Sequence, residues 1–176
     1  MLFAYYAKLS PARQRIYRKS DSIESLALPA RVEAGPIVAR VRDGLARDDR
    51  NAVQRACQEL VDVMTAGYRV PKIRIRVLAK RPSDDYGELH GLYEPEDGAT
   101  PAQISVWMRT AAKKQVVAFK TFLRTLVHEV CHHLDYDLFK LEETFHTEGF
   151  YKRESTLSAA LLAQEAACTE PQGKLF

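Results

Sequence analysis

At Pro71 the period of the sequence changes. Upstream, "DRNAVQRACQELVDVMTAGY" repeats apolar residues at helical spacing, with Val53, Cys57, Leu60, Val61 and Met64 on one side. Downstream, "KIRIRVLAK" alternates, so Lys72, Arg74 and Arg76 face one way and Ile73, Ile75 and Val77 the other. A period of two marks a half-buried strand, which needs partners. "GELHGLYEP" and "QISVWMRT" supply two more strands, separated by the loop "EPEDGATPA". Helical spacing then returns from about Gln115 to Leu138 and from about Glu148 to Ala167. The expected class is therefore α+β: N-terminal helices, a small three-stranded, mostly antiparallel sheet, and two closing helices.

The first helices carry their own signals. In "LSPARQRIYRKS", Ser10 is placed as an N-cap with Pro11 at the first helical position. "PIVARVRDGLARDD" reads as a second helix, and Gly67 suits the end of the third. With 176 residues and no repeat or linker, one domain over 1–176 is expected. Its helical part spans 1–68, and the sheet with the later helices spans 69–176.

The three cysteines, Cys57, Cys131 and Cys168, form no CxxC pair, so neither a zinc ribbon nor a disulfide framework is read. That usage suits a reducing compartment. The start "MLFAYYAKLSPAR" has no basic n-region, and no stretch has the roughly 18 apolar residues a membrane span needs. A cytoplasmic protein with no membrane partner is the expectation. Charge is uneven: residues 1–81 hold 17 Lys+Arg against 8 Asp+Glu, and residues 82–176 hold 9 against 15. A basic half can attract nucleic acid, but differently solvated faces are the commoner cause of such asymmetry, and a solvated outer face is the preferred reading of the strand's basic row.

The chemistry concentrates in "TLVHEVCHHLDYDLF", Thr125 to Phe139. On a helical wheel Phe119, Phe122, Leu123, Leu126, Val127, Val130 and Leu134 share one sector, which faces the core. His128 and His132 lie nearly opposite, with Glu129 between that side and the stripe's edge. Two histidines one turn apart, off the core face, aim their imidazoles at one point, as H-E-x-x-H requires for two zinc ligands. Zinc lowers the pKa of a bound water towards about 7, so a nearby carboxylate can take its proton. Glu129 is the general base this predicts. His133 falls on the apolar side and reads as a packed histidine. Cys131 reads as a small buried residue, and His90 as a strand residue without a metal role.

Such a site needs a third ligand. Another histidine pattern would require His at 138, where the chain has Leu138. His146, in "EETFHTEGFYKRES", lies just before the final helix, for which Thr147 is a suitable N-cap. It can swing onto the same metal. Glu148, Glu154, Glu143 and Asp135 compete for the role, and Asp135 is alternatively an acceptor that orients a ligating histidine. Tyr151, one turn into the final helix, is placed to donate to an oxyanion or to pack at a cleft rim.

"HEVCHHLDYDLF" followed by "HTEGFYKR" resembles the SprT-like and WLM-type zinc metallopeptidases, which pair HExxH with a later H-x-x-x-F, here His146 and Phe150. The resemblance covers about residues 70–155. It implies a zincin-like scaffold with His128, His132 and His146 as zinc ligands and Glu129 as general base. The chain is also similar to the minimal gluzincin-like scaffold, which implies a Glu as third ligand and so keeps Glu148 and Glu154. It departs from the SprT pattern in lacking a cysteine-rich ribbon after the motif and in having Thr147 where a Gly is usual. The expected function is zinc-dependent hydrolysis of a peptide or protein substrate. The alternatives are a nucleic-acid-associated module with a structural zinc and an inactive zincin-like interaction protein. "QISVWMRT" has two readings that the sequence does not separate: a sheet edge for pairing an extended peptide, or an ordinary strand with Trp107 in the core.

Overall fold

The computed structural model describes residues 2–84 and 87–169. A short 3-10 turn, Ala4–Lys8, precedes three helices: α1 (Pro11–Asp21), α2 (Gly35–Ala46) and α3 (Arg50–Tyr68). Five strands follow: β1 (Arg74–Lys80), β2 (Ser83–Asp84), β3 (Gly87–Glu88), β4 (Gly91–Glu94) and β5 (Gln103–Arg109). Helices α4 (Phe119–Asp137) and α5 (Glu148–Thr169) close the described chain. The class is α+β, as the change of period predicts.

Local chemistry explains most of the boundaries. The Ser10 hydroxyl accepts from the Arg13 N–H at 3.4 Å, with Pro11 at the first position, and Asp49 caps α3 through the Ala52 N–H at 3.0 Å. The end of α3 differs from expectation. Arg69, not Gly67, takes the left-handed cap position (φ 58°). Gly67 serves packing instead: a Cβ there would lie 2.5 Å from Val32 Cγ2. Helix α4 starts at Phe119 rather than Gln115 because Val116 is still bridged to Arg109 of β5, and the Val117 N–H donates to the Met108 carbonyl at 2.7 Å. "GELHGLYEP" divides into β3 and β4, and His90 lies exposed between them rather than in a strand.

The three-stranded sheet runs β1-β5-β4. β1 and β5 are parallel, with Ile75 opposite Ile104 and Val77 opposite Val106. β4 and β5 are antiparallel, with Gly91 opposite Val106 and Tyr93 opposite Ile104. The sheet is thus mixed rather than mostly antiparallel, and its longer pairing is the parallel one. Of the two readings of "QISVWMRT", the ordinary strand with Trp107 in the core holds and the sheet edge does not. β5 is the central strand, and Ile104 through Met108 are all buried on its two faces, Trp107 included.

The two outer edges differ. Along β1, the Gln54 side chain of α3 donates to the Ile75 carbonyl (2.8 Å) and accepts from the Val77 N–H (2.7 Å). Gln58, one turn on, does the same for the Ile73 carbonyl (2.9 Å) and the Ile75 N–H (2.8 Å). Two glutamines thereby satisfy the edge a further strand would otherwise find. The far edge of β4 borders a cleft, where the Tyr93 N–H donates to Glu129.

One buried cluster joins the helical part to the rest, with Val38, Leu60, Ile75, Val106, Leu126 and Leu157 among its members. The basic row Lys72, Arg74 and Arg76 is exposed, while Ile73, Ile75 and Val77 point into this core. Among the described residues no helix is long and apolar enough to cross a membrane.

Candidate metal centre

The wheel derived for α4 holds in three dimensions. Phe122, Leu123, Leu126, Val127, Val130 and Leu134 are buried against the sheet and α5, and His128 and His132 emerge on the cleft side. The connection over residues 138–147 then brings His146 back to the cleft, two residues before α5 begins. The Thr147 hydroxyl accepts from the Phe150 N–H at 2.9 Å, capping that helix as its sequence predicts. Phe150, fully buried, lies beneath all three imidazoles, its ring centroid 5.0, 4.8 and 5.2 Å from those of His128, His132 and His146.

The three Nε2 atoms converge. His128 and His146 are 3.0 Å apart there, His132 and His128 3.2 Å, and His146 and His132 3.1 Å. Among the described residues this is the group able to hold a metal ion. The outer nitrogens show what kind of group it is. His128 Nδ1 lies 2.8 Å from the Glu154 carboxylate, which is acceptor-only when ionised. Burial works against that ionisation, but hydrogen bonds from His128 and Arg124 outweigh it and hold Glu154 below the usual carboxylate range. His132 Nδ1 lies 2.8 Å from the Thr144 hydroxyl, whose single proton goes to Asp135 Oδ2 at 2.8 Å. Both Nδ1 atoms are therefore donors.

A neutral imidazole that donates from Nδ1 presents Nε2 as an acceptor, the atom that ligates a metal, and here the His128 and His132 Nε2 atoms lie 3.2 Å apart. Tetrahedral zinc at about 2.0–2.1 Å from each nitrogen sets ligating nitrogens about 3.3 Å apart, close to the spacing present. Burial first, then the neighbouring His128 and His146, pushes the His132 pKa down to about 3. His146 is lowered as well, by burial and by His128. For His132 and His146 both shifts favour the neutral ring, the form that ligates metal. The donor set fits a zinc ion.

Glu129 is 7% exposed and lines the same cleft, of about 620 Å³. Burial pushes its carboxyl up to about 7, against the opposing pull of His128 and a hydrogen bond from the Tyr93 N–H. β4 comes this close because position 91 is glycine. Tyr151 stands at the rim, its ring stacked on His146 at 5.8 Å.

The remaining candidates lie elsewhere. Glu143 pairs with Arg13 at 2.8 Å, and Glu148 reaches Lys152 at 3.3 Å. Asp135 is fully buried behind His132 and bonds Arg153 at 2.8 Å. His133 is packed, its Nε2 donating to the Pro71 carbonyl at 2.9 Å and its Nδ1 3.1 Å from the Tyr93 hydroxyl. Cys131 is buried. Sequence reasoning missed Thr144, Arg153 and Gly91. Only Gly91 had a readable signal, as a lone glycine in a strand pattern that marks close approach of another group. Comparison with protein-family models, curated proteins and solved structures finds no match for this chain.

Proposed function

We propose that the chain is a zinc-dependent metallopeptidase of zincin-like type, akin to the SprT-like and WLM-type enzymes its motif resembles, acting on a peptide or protein substrate. The observation carrying this reading is the set of three converging Nε2 atoms with a buried carboxylate, Glu129, in the same cleft. Zinc bound there would supply Lewis-acid polarisation of a carbonyl and acidification of water.

The chain's own groups supply the rest. Glu129, with its carboxyl raised towards neutrality, accepts the proton of the attacking water and hands it to the leaving amine. Glu154 fixes the tautomer of His128. Tyr151, at the rim, is the candidate donor to the oxyanion. The cleft-side edge of β4 beside Glu129 is suited to an extended peptide adding as a strand, which would lay its backbone along the cleft. The three free cysteines suit a reducing, cytoplasmic setting.

The test is elemental analysis followed by peptide-library cleavage, on wild type and on Glu129→Gln. One zinc per chain in both, with turnover in wild type alone, is expected. Full zinc without cleavage by wild type would favour an inactive interaction protein.

One observation favours a second reading. Lys72, Arg74 and Arg76 are exposed on the sheet face away from the core, and none has an ion-pair partner among the described residues. A nucleic-acid-associated module would use that row, and its binding would fall steeply with salt. In that case Glu129→Gln would change nothing.

A further inference from the structure

Thr144 sits in the connection between α4 and α5, two residues before His146. Its hydroxyl is the middle of a chain of contacts each 2.8 Å long: His132 Nδ1 to Thr144 Oγ1, Thr144 Oγ1 to Asp135 Oδ2, and Asp135 Oδ1 to Arg153 Nη2. Arg153 and Asp135 are both fully buried. The guanidinium lies over the Phe139 and Phe150 rings at 5.3 and 5.6 Å. Nη1 donates to the Ser20 carbonyl (2.6 Å) and the Ile23 carbonyl (2.7 Å), and Nη2 also to the Ser20 hydroxyl (3.0 Å), at the end of α1.

The direction of this chain is fixed at both ends. Ion-paired with Arg153, Asp135 is a carboxylate that only accepts, so the Thr144 proton points to Asp135. Thr144 Oγ1 then faces His132 with its lone pairs and accepts the Nδ1 proton. We infer that Thr144 and Asp135 are positioning residues for the candidate ligand His132. They hold its proton on Nδ1, leave Nε2 bare for the metal, and lock the ring against rotation through an anchor at the end of α1. His128 gets the same service from Glu154 directly, whereas His132 gets it through a hydroxyl. This rests on the metal-centre reading above.

The test is zinc affinity, by competition with a chromogenic chelator, for wild type, Thr144→Val and Thr144→Ser, with melting of each metal-free protein as control. Valine keeps the shape and removes the hydroxyl, and serine keeps the hydroxyl. Outer-shell partners of this kind are worth about 10–100-fold in metal affinity. Thr144→Val is therefore expected to lose about 10–100-fold, and Thr144→Ser to stay within about threefold of wild type. The cobalt absorption spectrum should shift in the valine variant alone. Equal affinity in all three proteins overturns the inference, as does a serine variant as weak as the valine one. Should Thr144→Val melt early without metal, the serine comparison and the cobalt spectrum still decide. A wild type that takes up no zinc overturns the metal-centre reading itself, and this inference with it.

Discussion

A Cβ placed on Gly91 would lie 2.5 Å from Glu129 Oε1 and 2.8 Å from its Cγ, so the strand bordering the cleft touches the proposed base with nothing between them. A methyl group there must displace either β4 or the carboxylate. Gly91→Ala is expected to lower kcat by at least about tenfold, the scale for misplacing a general base, while zinc content stays at the wild-type level. Steady-state kinetics beside elemental analysis checks this, and unchanged kcat would show that the close approach has no part in turnover.

Glu129 also makes a prediction about stability in the metal-free protein. Its folded pKa, raised to about 7 chiefly by burial, exceeds the unfolded value of about 4.3. Both states bind the proton below about pH 4, so the group then has no effect on stability. Between about pH 4.3 and 7 the unfolded state has lost the proton that the folded state keeps, so stability falls across that window and levels off above it. Glu129→Gln should therefore melt like wild type near pH 4 and be more stable at pH 8, by up to about 3 kcal/mol. Urea unfolding in chelator at the two pH values measures the difference. A variant no more stable at pH 8 would mean the carboxyl ionises without strain.

The ligand set predicts a graded series in zinc affinity. His146→Ala should lose at least about 100-fold, since it removes a coordinating nitrogen. Glu154→Gln should lose about 10–100-fold, since it removes only the acceptor behind His128. Glu143→Ala and Glu148→Ala should bind as wild type does. Chelator competition orders the four, and a large loss in either of the last two would reassign the third ligand to a carboxylate.

Arg153 and Asp135 are a fully buried ion pair that ties α5 to α4 and to the end of α1. Removing one partner leaves the other charged and without compensation. Arg153→Met should destabilise the metal-free fold by about 3–5 kcal/mol. Arg13→Met, which breaks the exposed, solvent-screened pair with Glu143, should leave the midpoint close to that of wild type. Denaturant midpoints of the two variants provide the comparison.

What was legible in the sequence follows the range of the interactions. His128, Glu129 and His132 lie within one turn and a residue of each other, so helical geometry alone places them. The alternation in β1 and the apolar stripe of α4 are likewise local patterns, and both hold. Pairing is not local. β1 and β5 meet in parallel only because β4 folds back on the far side of β5, and nothing in "KIRIRVLAK" encodes that choice. The uninterrupted burial of Ile104 through Met108 is a consequence of the central position, and an apolar run read alone is compatible with an edge. Thr144 and Arg153 were hidden for the same reason. A threonine in a loop and an arginine in a helix become parts of a site only when α1, α4 and α5 are brought together.

Gln54 and Gln58 bear on the order in which the chain acquires structure. Each primary amide presents an N–H donor and a carbonyl acceptor side by side, as a strand neighbour does, so α3 can stand in for one along β1. The two elements follow directly on one another in sequence, and their contacts close only short loops. β5, the true partner of β1, comes more than twenty residues after β1 ends. The helix can thus set the register of β1 while the sheet is still missing, acting as a template that the later strand joins from the other side. A slow, long-range parallel pairing is thereby reduced to docking onto a strand already aligned.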